Sequence, residues 1–339
     1  MQETVLQTRR SPIRHLTGVQ VVSTGSYVPD IVVRNEDLAQ MGCDPEWILQ
    51  RSGIRERRHA PPEMATSDLA VAAAEQCIEA SGVNTDDIDL LVVGTFTPDL
   101  LCPSTACLVQ DRLGINGAAF DVVAACAGFI YSLITAMQYV ASGTSNLALV
   151  IGADTNSRIA NPADVKTYPL FGDGAGAVLI TAGDDDQGLL AYTLGSDGSG
   201  AELLCRKMGG SRIPHSPEGL ASNQHYLEME GRPIFKWAVR LIDSTVREVL
   251  DAAQLEIKDI DVLVLHQANS RIMDAAADSL GIPREKMVVN IDRFGNTSAA
   301  SIPLALDEIR RNGTIQRGSR IMLCGFGAGL AWGTGLMQW

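Results

Sequence analysis

The sequence predicts an α/β fold assembled from two similar halves. Apolar runs such as LLVVG (90–94), LALVIGA (147–153) and VLVLH (262–266) lack the alternation of a half-exposed strand, which is typical of strands covered by helices on both faces. The stretch TDDIDLLVVGT (85–95) also returns as KDIDVLVLHQ (258–267), each time after an Ala-rich helical pattern. We therefore expect an internally duplicated α/β fold with a pseudo-twofold axis between its halves.

A second repeated stretch extends the duplication. RLGINGAAFDVVAACAG (112–128) aligns with SLGIPREKMVVNIDRFGNTSAA (279–300), and both read as the end of a helix, a strand, and a small-residue turn that opens a new helix. Cys126 and Asn296 fall at equivalent places in the two turns, so both side chains should approach the pseudo-axis and share one active site. The alignment also pairs Asp89 with Asp261 and Leu113 with Leu280.

The composition argues against several classes of protein. The chain has 339 residues and a formal net charge of −13, without any run of Lys or Arg, which argues against a nucleic-acid partner. Its seven cysteines include no C-x-x-C pair, so neither a disulfide framework nor a zinc site is predicted. Because it has no secretory leader and no apolar span of about 18 residues, we expect a cytoplasmic protein with no membrane partner.

Cys126 is the candidate nucleophile. The strand pattern before it runs into Ala-Cys-Ala-Gly and then into a helical pattern marked by Phe129, Leu133 and Met137. The thiol is therefore predicted at a helix N-terminus, where unpaired N–H groups and the helix dipole favour the thiolate. A single cysteine in an apolar context also fits a small buried hydrophobic residue, so its partners decide between the two interpretations.

His266 and Asn296 are the candidate partners of this thiol. His266 directly follows the strand VLVL, at the carboxyl end where open α/β sheets place their sites. Asn296 lies in the turn RFGNTSAAS, beside Gly295 and other small residues that let a substrate approach the backbone. Each alone fits a structural histidine or a turn asparagine. Together with Cys126 they supply a nucleophile and two neutral hydrogen-bond donors.

This choice of donors favours one kind of chemistry. A decarboxylating condensation of thioesters needs two neutral donors to stabilise an enolate, because a carboxylate would repel the developing charge. A cysteine hydrolase instead needs the histidine beside the thiol, with Asn or Asp orienting it. The residue types alone leave such a hydrolase open.

Several motifs carry a resemblance to a known family. They are GIRERRH (53–59), ACAGF (125–129), FGDGAGA (171–177), HQAN (266–269), GNTSAAS (295–301) and GFGAGLAWG (325–333). In this order and spacing, over residues 17–339, the chain resembles 3-oxoacyl-[acyl-carrier-protein] synthase III. The resemblance implies a thiolase-like five-layer αβαβα fold, with an N-terminal extension (1–16), an N-terminal half (17–185) and a C-terminal half (186–339).

The resemblance also implies the reaction and its residues. Cys126, His266 and Asn296 match the family's catalytic residues, and the backbone N–H of Ala328 matches the second oxyanion donor. The implied reaction is ping-pong: acyl-CoA acylates Cys126, CoA leaves, and malonyl-acyl carrier protein decarboxylates and attacks the thioester. A homodimer and no cofactor besides the coenzyme A thioester substrate are implied as well. The positions that match coenzyme A-binding residues are Trp47, Arg51, Arg158 and Arg271.

Departures from the family pattern concern the two substrates. Cys102 stands before Pro103 where relatives often carry a bulky aromatic residue, so we expect an acyl pocket, lined also by Phe326, that accepts a primer longer than acetyl. Asp278 and Ser279 replace a basic pair of some relatives, which weakens the case for a carrier-protein donor. Basic residues on one predicted helix face remain as a docking stripe or a solvated face: Lys236, Arg240 and Arg247.

Other functions stay open at this point. A starter-unit condensing enzyme or acyltransferase of polyketide or secondary metabolism fits the same motifs, and a cysteine-dependent thioester hydrolase is the alternative from another class. A biosynthetic thiolase would use a second cysteine as base, for which Cys324 is the candidate. Gly325 occupies the matching position instead, and strand alternation turns the side chain of Cys324 away.

Overall fold

The computed structural model describes residues 11–339, so residues 1–10 of the predicted extension lie outside the described range. Its strands are β1 (Arg14–Thr17), β2 (Val19–Tyr27), β3 (Ile31–Arg34), β4 (Glu56–His59), β5 (Leu90–Gly94), β6 (Ala118–Val122), β7 (Leu147–Thr155), β8 (Asp173–Ala182), β9 (Gly188–Ser196), β10 (Leu204–Arg206), β11 (Leu227–Met229), β12 (Val262–Leu265), β13 (Arg320–Gly327) and β14 (Ala331–Gln338). Its α-helices are α1 (Pro45–Ser52), α2 (Thr66–Ser81), α3 (Thr105–Leu113), α4 (Gly128–Ala141), α5 (Pro217–Ala221), α6 (Gly231–Ala253), α7 (Ser270–Leu280), α8 (Ile291–Phe294) and α9 (Ser301–Arg311).

Two five-stranded sheets repeat one strand order. The first runs β2-β8-β7-β5-β6, and the second runs β1-β9-β14-β13-β12. The pairs β5–β7 and β12–β13 are parallel, and the next two pairs in each sheet are antiparallel. In the first sheet β5 also pairs in parallel with β6, which forms the edge. Thus β9-β14-β13-β12 repeats β2-β8-β7-β5, as the duplicated sequence predicts.

The N-terminal strand joins the second half. Residues 14–16, which the sequence analysis assigns to a terminal extension, form most of β1, and β1 pairs with β9 at the edge of the second sheet. A strand this short carries too little periodicity to be recognised from sequence. The predicted boundary between residues 185 and 186 falls between β8 and β9 and stays a prediction.

Three hydrophobic cores separate five layers. The first lies between α2 and α3 and the first sheet, the second holds α4 and α9 between the two sheets, and the third lies between the second sheet and α6 and α7. The predicted αβαβα arrangement is therefore confirmed. Members of these cores include Leu69 and Val93 in the first, Phe129 and Ile302 in the second, and Leu241 and Leu263 in the third.

Two equivalences predicted by the repeat are visible as matching contacts. The carboxylate of Asp89 accepts the backbone N–H of Asn146 at 2.8 Å beside the start of β7, and that of Asp261 accepts the backbone N–H of Arg320 at 2.8 Å at the start of β13. Leu113 and Leu280 end α3 and α7, and a left-handed glycine follows each. These pairs occupy the same place in the two halves.

The two helix-opening turns are equivalent, but Cys126 and Asn296 are not. Ala125 (φ 44°) and Ser298 (φ 52°) share a left-handed backbone, and each begins a short 3₁₀ turn that continues into α4 or α9. By this register Cys126 corresponds to Ala299, while Asn296 lies two residues before its turn. Small residues around both positions obscured the offset in the sequence alignment.

Candidate active site

Cys126, His266 and Asn296 line one cavity of about 140 Å³, which we call the reaction cavity. Cys126 belongs to the turn before α4, His266 follows β12, and Asn296 precedes the turn before α9. The structure thus brings the three predicted residues together where the halves meet. Most of the remaining lining is apolar, from β10, β11 and α6: Leu204, Leu227, Met229, Ile234, Phe235 and Trp237.

The backbone around Cys126 is closely fitted. Cys126 is 8% exposed and lies in the 3₁₀ turn that leads into α4, so its predicted place at a helix N-terminus is correct. A Cβ added to Gly327 would lie 2.8 Å from the Cβ of Cys126, and therefore only glycine lets the end of β13 approach the nucleophile this closely. Ala328 follows and also lines the reaction cavity, with a φ outside the left-handed region.

The expectation of a stabilised thiolate at this position is wrong for the resting protein. Burial, with a smaller contribution from the nearby carboxylate of Asp154, raises the pKa of the Cys126 thiol to about 12. The hydroxyl of Ser298 donates a hydrogen bond to Sγ at 3.2 Å and opposes the increase in pKa. At neutral pH Cys126 is accordingly a thiol, because the loss of solvation outweighs the stabilising contacts.

His266 is a neutral, oriented imidazole. It is 1% exposed, and burial lowers its pKa to about 3. Its backbone N–H donates to the carbonyl of Cys324 at 2.8 Å, and its Nδ1 lies 2.7 Å from Oγ of Ser301. Both contacts fix the ring where β12 ends, so His266 can act as a hydrogen-bond donor without carrying charge.

Asn296 is held by backbone and side-chain contacts. Its backbone N–H donates to the carbonyl of Leu170 at 2.8 Å, and its own carbonyl accepts the N–H of Gly172 at 3.0 Å. The side-chain Oδ1 accepts the backbone N–H of Ser298 at 2.9 Å. Because Oδ1 is occupied, the amide NH₂ group of Asn296 remains as a donor.

Phe326 lies in the reaction cavity, but Cys102 does not. The ring of Phe326 meets His266 edge-on, with centroids 5.3 Å apart, and also lines the cavity. Cys102 is exposed on the connection between β5 and α3, next to the exposed Leu101, and does not line the cavity of its own chain.

A second pocket of about 160 Å³ adjoins the reaction cavity and holds two of the predicted coenzyme A residues. Trp47 and Arg51 line it, and it shares Leu170 and Asn269 with the reaction cavity. The side-chain amide of Asn269 donates to the carbonyl of Arg51 at 2.9 Å. The two spaces therefore meet at Asn269, one residue away from the helix that begins at Ser270.

The other two predicted coenzyme A residues, Arg271 and Arg158, lie beside different cavities. Arg271 is near the reaction cavity, because its guanidinium lies 5.8 Å from the ring centre of Phe235, which lines that cavity. Arg158 does not line the Trp47 pocket: it lines another cleft with Arg206, and its guanidinium donates to the backbone carbonyl of Pro61 at 2.7 Å. That cleft also contains Phe96, which lines the reaction cavity, and the assignment of Arg158 to coenzyme A stays a prediction.

Lys166 is a basic residue that sequence reasoning missed. It lines the pocket of Trp47 and Arg51 from the segment between β7 and β8. An isolated lysine in a loop carries no pattern, so only the fold reveals its neighbours. Ser298 and Ser301 were missed for the same reason, although both stand in the quoted turn GNTSAAS.

The basic residues of the predicted docking stripe lie exposed along α6. Arg247 forms an ion pair with Asp243 at 3.1 Å and also donates to the backbone carbonyl of Ser279 at 2.8 Å. Since Arg247 is already paired, the stripe of Lys236, Arg240 and Arg247 presents less positive charge than the sequence alone indicates.

Cys324 has no access to the reaction cavity. It is completely buried, accepts a hydrogen bond from the hydroxyl of Thr334 at 3.2 Å, and does not line the cavity. Burial raises the pKa of this thiol to about 11. At the neighbouring position, a Cβ on Gly325 would face Ala127 beside the nucleophile, as the alternation argument requires, and this arrangement disfavours a thiolase mechanism.

Within residues 11–339, no cluster of three or more His, Cys, Asp or Glu side chains could hold a metal ion. In the same range, every helix is too short or too polar to cross a membrane.

Comparisons with known proteins agree with this fold. The family model described as 3-Oxoacyl-[acyl-carrier-protein (ACP)] synthase III matches residues 120–198, and the model of its C terminal region matches residues 250–339. A beta-ketoacyl-[acyl-carrier-protein] synthase III from Rhodopirellula baltica is 51% identical, over 96% of this chain and 99% of the relative.

Solved structures of similar proteins have the same fold. A synthase III from Thermus thermophilus superposes with a TM-score of 0.89 at 41% identity, over 94% of this chain and 98% of that one. The priming beta-ketosynthase of the R1128 polyketide pathway superposes with a TM-score of 0.88 at 34% identity, over 98% of both chains. The chain belongs to the 3-oxoacyl-[acyl-carrier-protein] synthase III family.

Proposed function

We propose that this chain starts fatty-acid synthesis by condensing an acyl-CoA primer with malonyl-acyl carrier protein, through an acyl-Cys126 intermediate. The observation that carries the proposal is the shared cavity: one thiol and two neutral donors, His266 and Asn296, line a single, mostly apolar space. An acyl chain and the thioester enolate both fit such a space, because the chain needs apolar contact and the enolate needs donors without negative charge.

In the first half-reaction, the sulfur of Cys126 forms a bond to the acyl carbon while the bond from that carbon to coenzyme A sulfur breaks. The thiol proton ends on the departing coenzyme A, so the charges balance. The backbone N–H of Ala328, beside the close approach of Gly327 to Cys126, is the proposed donor to the thioester oxygen.

In the second half-reaction, the malonyl thioester loses carbon dioxide and its enolate attacks the acyl-Cys126 carbonyl. Nδ1 of His266 lies 2.7 Å from Oγ of Ser301. In the proposed tautomer the Ser301 hydroxyl donates to Nδ1, and the ring proton on Nε2 is one donor to the enolate oxygen. The amide NH₂ of Asn296 is the other, since Ser298 occupies Oδ1. The reaction needs no cofactor besides its thioester substrates.

Coenzyme A enters, in this proposal, through the pocket that adjoins the reaction cavity. Trp47 offers an exposed ring for the adenine base, and Arg51 and Lys166 offer positive charge for the phosphates. Arg271, above Phe235, would lie along the pantetheine arm near the opening of the reaction cavity.

The carrier protein is proposed to dock on the exposed cations of α6. Arg247 contributes least, because Asp243 neutralises it. On the neighbouring α7, Asp278 accepts a hydrogen bond from Arg284 at 3.0 Å. Docking on this face should weaken quickly as salt is added, because it rests on exposed charges.

A homodimer is supported by an uncovered sheet edge. Among residues 11–339, strand β6 ends the first sheet with one side unpaired, and Val123 just after it is 74% exposed. Exposed edge strands favour pairing with another chain. In the proposed dimer, Cys102 of one subunit would reach the acyl pocket of the other, since it cannot line its own. The cytoplasm suits the seven cysteines, all free in the described part of the chain.

Acylation and condensation can be measured separately. Incubation with acetyl-, butyryl-, hexanoyl- and octanoyl-CoA, followed by intact-protein mass spectrometry and peptide mapping, should place one acyl group on Cys126 and none on Cys126→Ala. His266→Ala and Asn296→Ala should still acylate but lose malonyl decarboxylation by roughly 10²-fold each. An acyl group on Cys102, Cys107 or Cys324, or equal loss of both half-reactions, would contradict the proposal.

A priming role in polyketide synthesis is the second candidate, favoured by the similarity to the R1128 priming beta-ketosynthase. Both candidates use the same chemistry, so the rate of condensation with each carrier protein distinguishes them. A much faster reaction with a fatty-acid carrier protein than with a polyketide carrier protein would support the first proposal. A hydrolase has less support, because the hydrogen-bond donor to Sγ of Cys126 within residues 11–339 is Ser298 rather than His266.

A further inference from the structure

The hydroxyl of Ser298 contacts the nucleophile, and neither proposed half-reaction assigns it a step. Its side chain is completely buried, and its hydroxyl donates a hydrogen bond to Sγ of Cys126 at 3.2 Å across the junction of the two halves. Its backbone N–H separately donates to Oδ1 of Asn296. A single residue therefore contacts the nucleophile through its side chain and an enolate donor through its backbone.

We propose that Ser298 is a catalytic residue of the acylation half-reaction, whose hydroxyl donates to the Cys126 sulfur as negative charge develops on it. This inference rests on the proposed function and deepens it. A hydrogen bond to a charged sulfur is stronger than one to a neutral thiol, so the contact stabilises the transition state of attack more than the resting enzyme.

The surroundings of the sulfur show why such a donor is needed. Burial and the carboxylate of Asp154 both raise the pKa of Cys126, and the hydrogen bond from Ser298 is the side-chain contact that lowers it. Asp154 itself is completely buried, and burial raises its pKa to about 6, so it is mostly ionised at neutral pH. The sulfur thus becomes charged near another negative charge, and the Ser298 hydroxyl offsets part of that cost.

The backbone conformation of Ser298 would suit glycine better than serine, which indicates that the hydroxyl has a function. Its φ of 52° lies in the left-handed region, which glycine adopts at lower cost than serine. The turn is held without the hydroxyl as well: Asp154 accepts the backbone N–H of Ala299 at 3.0 Å, and Asn296 accepts that of Ser298. A serine here adds a hydroxyl that glycine lacks; this hydroxyl contacts Sγ of Cys126 and also lowers the pKa of Asp154 through a side-chain hydrogen bond.

The two contacts of Ser298 can be separated by mutation. Ser298→Ala removes the hydroxyl and keeps the backbone N–H that orients Asn296. Ser298→Gly also removes the hydroxyl but relieves the left-handed conformation, so it should fold at least as well. Ser132→Ala is a matched control, because Ser132 is equally buried on α4 and its hydroxyl has no hydrogen-bond partner in the described structure.

The test measures the acylation rate in a single turnover with acyl-CoA and the pH dependence of iodoacetamide alkylation of Cys126. Both Ser298 variants should lose roughly tenfold or more in each rate at neutral pH, with the alkylation profile shifted to higher pH. The Ser132→Ala control should match the wild type. Condensation by enzyme that has already been acylated should change by less than about threefold, because Asn296 keeps its partner.

Several outcomes would overturn this inference. Wild-type rates of acylation and alkylation in both Ser298 variants would show that the hydroxyl is not needed. A slower acylation rate in Ser298→Ala that returns to the wild-type rate in Ser298→Gly would assign the effect to backbone strain. Equal slowing of acylation and condensation would assign it to a general disturbance of the site. If the wild type forms no acyl-Cys126, the proposed function itself fails, which is a separate result.

Discussion

Oγ of Ser301 lies 2.7 Å from Nδ1 of His266, where the turn of the second half enters α9. The contact joins two segments of the C-terminal half that are 35 positions apart in sequence. It leaves Nε2 as the ring atom free to donate, provided that the hydroxyl supplies the proton to this bond. The geometry of His266 thus depends on a serine that does not itself line the reaction cavity.

Removing this hydroxyl should impair condensation and spare acylation. Ser301→Ala leaves Nδ1 of His266 without its partner, so the imidazole divides between two tautomers and orientations. We expect roughly tenfold slower condensation by acylated enzyme and an unchanged rate of Cys126 acylation. Single-turnover measurements of each step, with Ser132→Ala as control, test this. Slower acylation in Ser301→Ala would count against it.

The buried imidazole should make the protein sensitive to acid. Burial holds the pKa of His266 at about 3, below the usual value of 6.5. Between those values the unfolded chain binds a proton that the folded chain excludes, so His266 costs stability as pH falls below 6.5. Urea unfolding of the wild type and His266→Asn at pH 7.5 and 4.5 should show the wild type losing about 2–3 kcal/mol relative to the variant. Equal losses of unfolding free energy in the wild type and His266→Asn would contradict the lowered pKa of His266.

The buried carboxyl should act in the opposite direction. Burial raises the pKa of Asp154 to about 6 from 3.8, so between those values the folded state binds the proton that the unfolded state lacks. Its contribution to stability is greatest at low pH and is lost as pH rises through 6. From pH 7.5 to 4.5, we expect the wild type to gain about 2 kcal/mol relative to Asp154→Asn in the same urea experiment. A constant difference between the two proteins would show that Asp154 has an ordinary pKa.

Coenzyme A binding should distinguish Lys166 from Arg158. Lys166→Ala and Arg51→Ala each remove a charge from the pocket beside Trp47, so KM for acyl-CoA should rise several-fold with little change in kcat. Arg158→Ala removes a charge from a different cleft and should leave KM within about twofold. A larger effect of Arg158→Ala than of Lys166→Ala on KM would place coenzyme A in the Arg158 cleft instead.

Primer length tests both the acyl pocket and the dimer. We expect a wild-type preference for primers longer than acetyl, since each buried methylene is worth about 0.8 kcal/mol. Cys102→Phe should shift the preference toward acetyl-CoA, and it can do so only from a second subunit, because Cys102 lies outside the cavity of its own chain. The measurements are kcat/KM across four acyl-CoAs and the molecular mass in solution. A monomer, or an unchanged preference in the variant, would refute the arrangement.

The sequence by itself determined the features that depend on local pattern. Strand β5 is apolar at every position because Leu91 and Val93 face one core and Leu90 and Val92 face another, and this absence of alternation was readable. The repeated segments predicted the two halves, and the strand ends predicted that Cys126, His266 and Asn296 would meet. Each of these follows from periodicity and order along the chain.

The tertiary structure decided what depends on distance through space. Cys126 has a raised pKa because the two halves close over it, an effect of desolvation that a helix N-terminus does not predict. Lys166 joins Arg51, and Arg158 does not, because loops turn in directions that no periodicity records. Contacts such as Ser298 with Cys126 bring together residues 172 positions apart. Only folding places those atoms within hydrogen-bonding distance.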